Sequence, residues 1–499
     1  MIVVGVQTGS ASADAQREAG ATALVLTGPQ RAAAVQEAQA GAAATAKAIG
    51  LADREKLVVR DVVKDADGTV HTRYERTYEG LPVLGGDLVV HQKKDGARAT
   101  TKATGARISV PTTEAKAPAA TARSTARKVI WAATGKPALA WETTVTGTQP
   151  DGTPSERHVI TDAATGKELY SYEAIETGTG NTQYSGQVTL GTAPSFTLTD
   201  TTRGGHKTYD LAGGTNGTGS LFTNSTDTWG NGLATNRETA AADAHYGAAV
   251  TWDFYKNELG RNGIRGDGAA AYSRVHYGNA YVNAFWSDSC FCMTYGDGTG
   301  NTKPLTSLDV AGHEMSHGLT ASTAGLRYSK ESGGLNEATS DILGTSVEFY
   351  AANATDVGDY LIGEKIDIRG NGTPLRYMDK PSKDGNSADF WSNSVGRLDV
   401  HYSSGPANHF FYLLSEGSGT KTINGVTYNS PTSDGSTVTG IGRTKAYKIW
   451  YKALSTYMTS STTYAGARTA TLSAATDLYG ATSPEYAAVA KAWTAINVK

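Results

Sequence analysis

The chain has 499 residues, 39% of them hydrophobic and 19% charged, so it can bury real cores and is too long for one ordinary domain; two to four are expected. Its 45 basic and 48 acidic residues leave a formal charge of −3, which gives no electrostatic case for nucleic acid or an anionic membrane as partner. Two cysteines exclude a disulfide-dense scaffold and a four-cysteine zinc finger, and no apolar run reaches the roughly 18 residues of a membrane span.

Residues 1–50 read as a lead-in. The short apolar run Ile2–Val6 and the A-x-A pattern Ala11-Ser12-Ala13 suggest a truncated secretory signal, and the alanine-rich stretch behind it favours helix. Residues 51–111 turn to β-type alternation, as in Leu57-Val58-Val59 and Tyr74–Tyr78, interrupted by Gly85-Gly86. Residues 112–125, rich in Ala, Thr, Lys and Pro, read as a linker, and 126–175 as a second small α/β unit. The Gly/Thr-rich segment Glu176–Asn181 reads as an exposed boundary. Beyond it, residues 176–303 are strand-rich and 304–499 mainly helical. Ser483-Pro484-Glu485 has the capping serine, first-turn proline and early acid of a helix start. The fold class expected is α+β.

Asp309–His317 contains His313-Glu314-x-x-His317. On a helix, positions i and i+4 share a face, so both imidazoles can reach one zinc ion while Glu314 lies beside the water that the metal activates. A catalytic zinc needs a third protein ligand and an open position. Glu337, 24 residues after His313, can supply that ligand from a second helical stretch. Asp341 follows it one turn later, placed to hold a ring N–H of a zinc histidine. A solvated helix face would explain the two acids equally well were they elsewhere in the chain.

With these motifs the chain resembles the thermolysin family of neutral zinc metalloproteases, carried with a propeptide. The resemblance spans roughly 177–499 and rests on Asn283-Ala284-Phe285-Trp286, Tyr295-Gly296-Asp297-Gly298, His313–His317, Glu331-Ser332-Gly333-Gly334 with Asn336-Glu337, Leu375-Arg376, and Gly440–Arg443 through Asp477–Gly480. A looser likeness to the two-part propeptide covers about 50–175, best at Tyr78–Val83. The resemblance implies two propeptide subdomains (51–111 and 126–175) and a two-lobed enzyme, β-rich at 176–303 and helical at 304–499, with a zinc cleft between the lobes. It implies zinc ligands His313, His317 and Glu337, the general base Glu314, and oxyanion stabilisation by His401 and Tyr328. Asp399 would orient His401; this D-x-H spacing is similar to the pseudolysin branch, since in thermolysin the acid lies further upstream. A histidine paired with a carboxylate can stabilise a developing negative charge. Asn283 and the backbone of Ala284 would pair with an extended substrate, Arg376 would bind a substrate carbonyl, and Val310, Ile362, Ile366 and Leu375 would line an apolar primed-side pocket.

The resemblance further implies calcium. Asp309, Glu348, Asp359 and Glu364 match a double calcium site by position, with Leu361 giving its backbone carbonyl; one or two ions are expected, one leaving a formal −2 on the four acids and two neutralising them. The loop Lys365–Pro374 is expected to hold no outlying calcium. Cys290-Phe291-Cys292 leaves two possibilities open, a disulfide across one residue or two buried thiols. The function expected is that of a secreted, monomeric zinc endopeptidase zymogen. It would cut internal peptide bonds before bulky hydrophobic residues, with its own propeptide as folding aid and inhibitor. Another zincin peptidase, which would need an acidic amine-binding cluster, and a zinc-binding pseudo-protease, which would lose Glu314 or His401, are the alternatives.

Overall fold

The computed structural model of the protein describes Leu24, Leu26 and residues 28–117, 124–148, 154–173, 177–193 and 196–499; the expected signal segment lies outside them. The chain divides into two compact units, one up to Ile175 and one from Glu176 onward.

In the first unit, helices α1 (Gly28–Ala40) and α2 (Ala42–Ala48) set small residues, Ala34, Ala42 and Ala46, against the apolar faces of strands β1 (Glu55–Lys64), β2 (Val70–Tyr78) and β4 (Leu88–Gln92). Alternation makes these strands: Leu57, Val59 and Val62 point to the helices while intervening residues face outward. Strands β3 (Leu81–Leu84), β5 (Arg98–Lys102), β6 (Ser124–Trp131), β7 (Ala138–Thr148), β8 (Pro154–Asp162) and β9 (Glu168–Glu173) complete a nine-stranded sheet. Two sequence expectations change here. The described part of residues 126–175 holds four-strand meander structure and no helix, because its Val, Ile and Thr repeat with period two. The two expected subdomains also share one sheet, through the parallel pairing of Val83 and Leu84 with Ile130 and Trp131. Of the expected linker, residues 118–123 lie outside the described residues, and β6 already starts at Ser124.

The second unit opens with a strand where an exposed boundary was expected. Residues Thr177–Asn181 form β10, antiparallel to β11 (Gln187–Gly191) and parallel to β15 (Thr228–Trp229). Its glycines serve close packing: a Cβ would lie 2.4 Å from Asp227 Oδ1 at Gly178 and 2.9 Å from Leu190 at Gly180. A six-stranded sheet follows, with β12 (Thr199–Asp200), β13 (His206–Asp210), β16 (Tyr272–Val275), β18 (Cys292–Tyr295) and β17 (Ala284–Ser287) in that order and β14 (Ser220–Leu221) beside β13. β17 is an edge strand with one partner, β18.

The strand-rich reading of 176–303 also missed α3 (Arg237–Leu259), a 23-residue helix. It is buried over much of its circumference, so its alanine-rich sequence carries no amphipathic stripe; its signals are the Asn236 cap and left-handed Gly260 at its end. The helical part comprises α4 (Leu308–Ala321), α5 (Lys330–Ala351), α6 (Val400–Ser403), α7 (Gly405–Glu416), α8 (Arg443–Thr456), α9 (Tyr464–Tyr479) and α10 (Pro484–Ala495), the last capped by Ser483 accepting from the Tyr486 N–H. Short strands β19 (Leu361–Ile362) and β20 (Arg376–Tyr377) pair between α5 and α6. Close approach of α4 and α5 depends on two glycines: a Cβ on Gly344 would come within 2.5 Å of the Asp309 carbonyl oxygen, and one on Gly312 within 3.0 Å of Gly344 Cα. No helix among the described residues is long and apolar enough to cross a membrane.

Candidate active site

α4 and α5 carry the three zinc-type ligands on facing turns. His313 Nδ1 bonds Asp341 Oδ1 at 2.8 Å. His317 Nδ1 bonds Asn336 Oδ1 at 2.8 Å, and the Asn336 amide is itself oriented by donating to the Leu326 carbonyl. With each Nδ1 so engaged, both Nε2 atoms turn to one point, 3.1 Å apart. Glu337 sits fully buried beside them, 3.4 Å from each Nε2, and its Oε2 has no hydrogen-bond partner. Two facing imidazole nitrogens and an orphaned buried carboxylate oxygen are what a divalent cation relieves, and two nitrogens with one carboxylate suit zinc with a position left open. The ligand groups lie within 4.8 Å of one another.

Asp341 does more than orient His313. Its two oxygens also accept Arg376 Nε and Nη2, at 2.8 and 2.6 Å, and Asn408 Nδ2 at 2.8 Å. Burial works against its charge, but Arg376 and His313 outweigh it and hold the carboxyl below its ordinary range. Thus Arg376 lines the cleft while much of its guanidinium is committed to Asp341. From sequence Asn336 is legible only as part of the family motif, directly before Glu337, and Asn408 not at all; only the fold brings Asn408 near.

Glu314 is buried on the same helix and lines the cleft. Burial pushes its carboxyl up to about 7, Glu337 adding to the rise and His313, Arg376 and the Trp286 backbone N–H opposing it. Opposite, the Tyr328 hydroxyl donates to Glu337 Oε1 and lies 3.2 Å from His401 Nε2. Although the Tyr328 ring is 53% exposed, desolvation of its hydroxyl end and the charge of Glu337 raise its pKa and keep the proton in place. Asp399 caps α6 and accepts from both the backbone N–H and Nδ1 of His401, at 3.0 and 2.7 Å. That local capping turn aims His401 Nε2 toward Glu337, 3.6 Å away.

Asn283 and Ala284 line the cleft at the start of edge strand β17. Val310, Ile362 and Leu375 line it on the apolar side. Ile366 does not: it is buried in a cluster with Tyr184, Leu305 and Val310 and stays off the cleft surface. Leu305 and Ile368 reach the cleft surface instead, because the segment turns Ile366 into the core and brings the residue two further on to the opening.

A second cluster lies behind the first. Asp309, Glu348 and Glu364 bring carboxylate oxygens within 4.8 Å of one another, and Asp359 joins them, its backbone N–H donating to Glu348 Oε2 at 2.8 Å. Leu361 donates its N–H to Asp359 Oδ1 at 2.6 Å. A fifth acid, Asp356, was not expected from sequence; it is fully buried and both its carboxylate oxygens lack hydrogen-bond partners, as do Glu348 Oε1 and Glu364 Oε2. Lys365 Nζ lies 3.7 Å from Asp356. Buried oxygen ligands left unpaired fit a hard cation such as calcium. In the following loop, Asp367 accepts from Lys303 Nζ at 3.0 Å. Cys290 and Cys292 are joined in a disulfide.

Comparison with known proteins gives the family. Residues 177–321 match the thermolysin metallopeptidase catalytic domain and 324–498 the thermolysin metallopeptidase alpha-helical domain, while 55–97 match the fungalysin/thermolysin propeptide motif. A transglutaminase-activating metalloprotease of Streptomyces mobaraensis is 59% identical over an alignment covering 100% of this chain and 70% of its own. Thermolysin of Alicyclobacillus acidocaldarius subsp. acidocaldarius is 37% identical, covering 82% of this chain and 80% of its own. A solved precursor of protealysin, the metalloproteinase from Serratia proteamaculans, aligns over 62% of this chain and 90% of its own at 27% identity, with a TM-score of 0.45. The catalytic-domain and alpha-helical-domain matches joined to a propeptide motif, together with the 59% and 37% identities of the two curated relatives, make the chain a member of the thermolysin family of metallopeptidases.

Proposed function

We propose that the chain is the secreted precursor of a zinc endopeptidase that cuts internal peptide bonds before bulky hydrophobic residues. The observation that carries this is the convergence of the His313, His317 and Glu337 ligand atoms with Glu314, Tyr328 and His401 in one cleft flanked by an open strand edge. His313, His317 and Glu337 would hold a zinc ion, which would supply Lewis acidity to the scissile carbonyl and the attacking water. Glu314, buried on α4 and lining the cleft, takes the proton from that water and returns it to the leaving amine. Tyr328 and His401 donate hydrogen bonds to the carbonyl oxygen as it gains charge. Asn283 and Ala284 hold the substrate as an added strand on β17. Val310, Ile362 and Leu375, with Leu305 and Ile368, favour an apolar residue on the primed side, each buried methylene adding about 0.8 kcal/mol.

The first unit acts as folding aid and inhibitor, reflecting its propeptide motif. Four buried acids, Asp309, Glu348, Asp356 and Asp359, and the half-buried Glu364 hold two calcium ions. The name of the 59% identical relative describes activation of a transglutaminase; a protein precursor is therefore the substrate class we assign to this chain. Cleavage of a peptide library by zinc-replete protein tests the reading. Hydrolysis that a chelator abolishes and zinc restores, with cuts before Leu, Ile, Val or Phe, is expected; no zinc-dependent hydrolysis would overturn it.

A further inference from the structure

The β17–β18 hairpin is built in a way that the catalytic reading does not use. β17 has four residues and one hydrogen-bonded neighbour, its other edge being open to the cleft. Ser287 pairs with Cys292 and Trp286 with Met293, so residues 288–291 alone close the hairpin. So short an edge strand is prone to slip, and a slip of one residue would turn every side chain to the opposite face.

A chain of contacts opposes that slip. The disulfide joins Cys290 in the loop to buried Cys292 at the head of β18. Phe291, trapped between the two cysteines, adopts φ +53°, a left-handed conformation that bulky residues avoid without outside support. Its ring is held from one side by the Arg265 guanidinium at 3.7 Å and meets the Trp286 ring edge-on at 5.1 Å. Trp286 in turn lines the cleft, donates from Nε1 to Asp288 at 2.7 Å, and lies directly against α4 at Gly318, where a Cβ would come within 2.6 Å of the indole. The chain of contact therefore runs from the disulfide through Phe291 and Trp286 to the residue after His317.

We propose that the Cys290–Cys292 disulfide and the Phe291 ring it presents are positioning elements for substrate binding. They pin Trp286 against α4 and so hold β17 in the register at which Asn283 and Ala284 meet an extended peptide. The proposal rests on the endopeptidase reading above. Its ligand is the main chain of a peptide long enough to pair with β17.

The test compares two substrates on the mature zinc-loaded enzyme: a peptide extending four residues on each side of the scissile bond, and a blocked dipeptide too short to pair with the strand. The variants are C290S/C292S, which removes the disulfide, and F291A, which keeps it. Losing one or two main-chain hydrogen bonds predicts a KM for the long peptide raised about tenfold, with kcat altered less than about threefold. The dipeptide should be cut with kcat/KM changed less than twofold, zinc content should be unchanged, and F291Y should restore the long-peptide KM. An unchanged long-peptide KM in F291A would overturn the proposal. So would an equal loss on both substrates accompanied by zinc loss, which marks a merely structural role. Wild-type enzyme lacking zinc-dependent hydrolysis would instead refute the endopeptidase reading itself.

Discussion

Removing calcium should destabilise the second unit, and more so as the pH rises. Asp309, Glu348, Asp356, Asp359 and Glu364 together carry a formal −5 when ionised. Two Ca²⁺ and the neighbouring Lys365 ammonium balance that charge, whereas one ion leaves two negative charges buried. Burial first, and then repulsion from the other acids, pushes Asp356 and Asp359 up to about 7 and Glu364 up to about 10; Glu348 is raised well above its ordinary range. These are acids raised on folding, so the native state without calcium binds more protons than the unfolded chain. Its stability is therefore greatest below the unfolded values near 4, falls as the pH climbs to about 7, and falls further toward 10. Calcium replaces the protons. At a hundredfold excess over Kd, each ion bound only to the native state contributes about 2.7 kcal/mol, about 5 kcal/mol for two. At about 2 °C per kcal/mol for a unit of this size, Tm should fall by roughly 10 °C on calcium removal at pH 8 and by much less at pH 5. The assay is calorimetry of the Glu314→Gln variant, which limits autolysis, dialysed free of calcium with zinc retained, paired with metal analysis. A calcium-free Tm that stays level or rises between pH 5 and 8 would refute the electrostatic reasoning, and a stoichiometry of one would refute the charge balance.

Glu314→Gln should retain zinc but lose on the order of 10²–10⁴ in kcat, the usual contribution of a general base; full-length protein should then accumulate, and near-normal turnover by the purified variant would remove Glu314 from that role. Asp341→Asn should weaken zinc binding about 10–100-fold by disturbing His313, read by competition with a chromophoric chelator, and should leave buried Arg376 short of its counter-charge; affinity within twofold of wild type would count against this. N-terminal sequencing of active enzyme should find a start between residues 174 and 177, because Thr177 already pairs with Gly191 in β10 and a later cut would remove strand residues; a mature chain still beginning before Lys56 would defeat the precursor reading.

What sequence could reveal was what is local. His313 and His317 share a helix face, Glu337 and Asp341 are one turn apart, and Asp399 caps the very turn that holds His401, so each pairing is visible as spacing. Ser483 announces α10 by the same kind of short-range bonding. The glycine pair Gly312 and Gly344 is equally plain in sequence, yet that they let α4 and α5 approach until three ligand groups meet is a tertiary fact. The same holds for Asn408 and Arg376, which reach Asp341 across 67 and 35 residues, and for Asp356, which only burial beside four other acids distinguishes from a surface aspartate. Buried on many sides, α3 has no apolar stripe for periodicity to find, and strand-like β10 was hidden by glycines that exist for close packing. Ile366 and Ile368 differ only in which way a loop turns them, one to the core and one to the cleft. Hydrogen bonds within a turn are set by residues three or four apart, but which distant surfaces meet is decided by packing summed over the whole unit, and no local pattern encodes that sum.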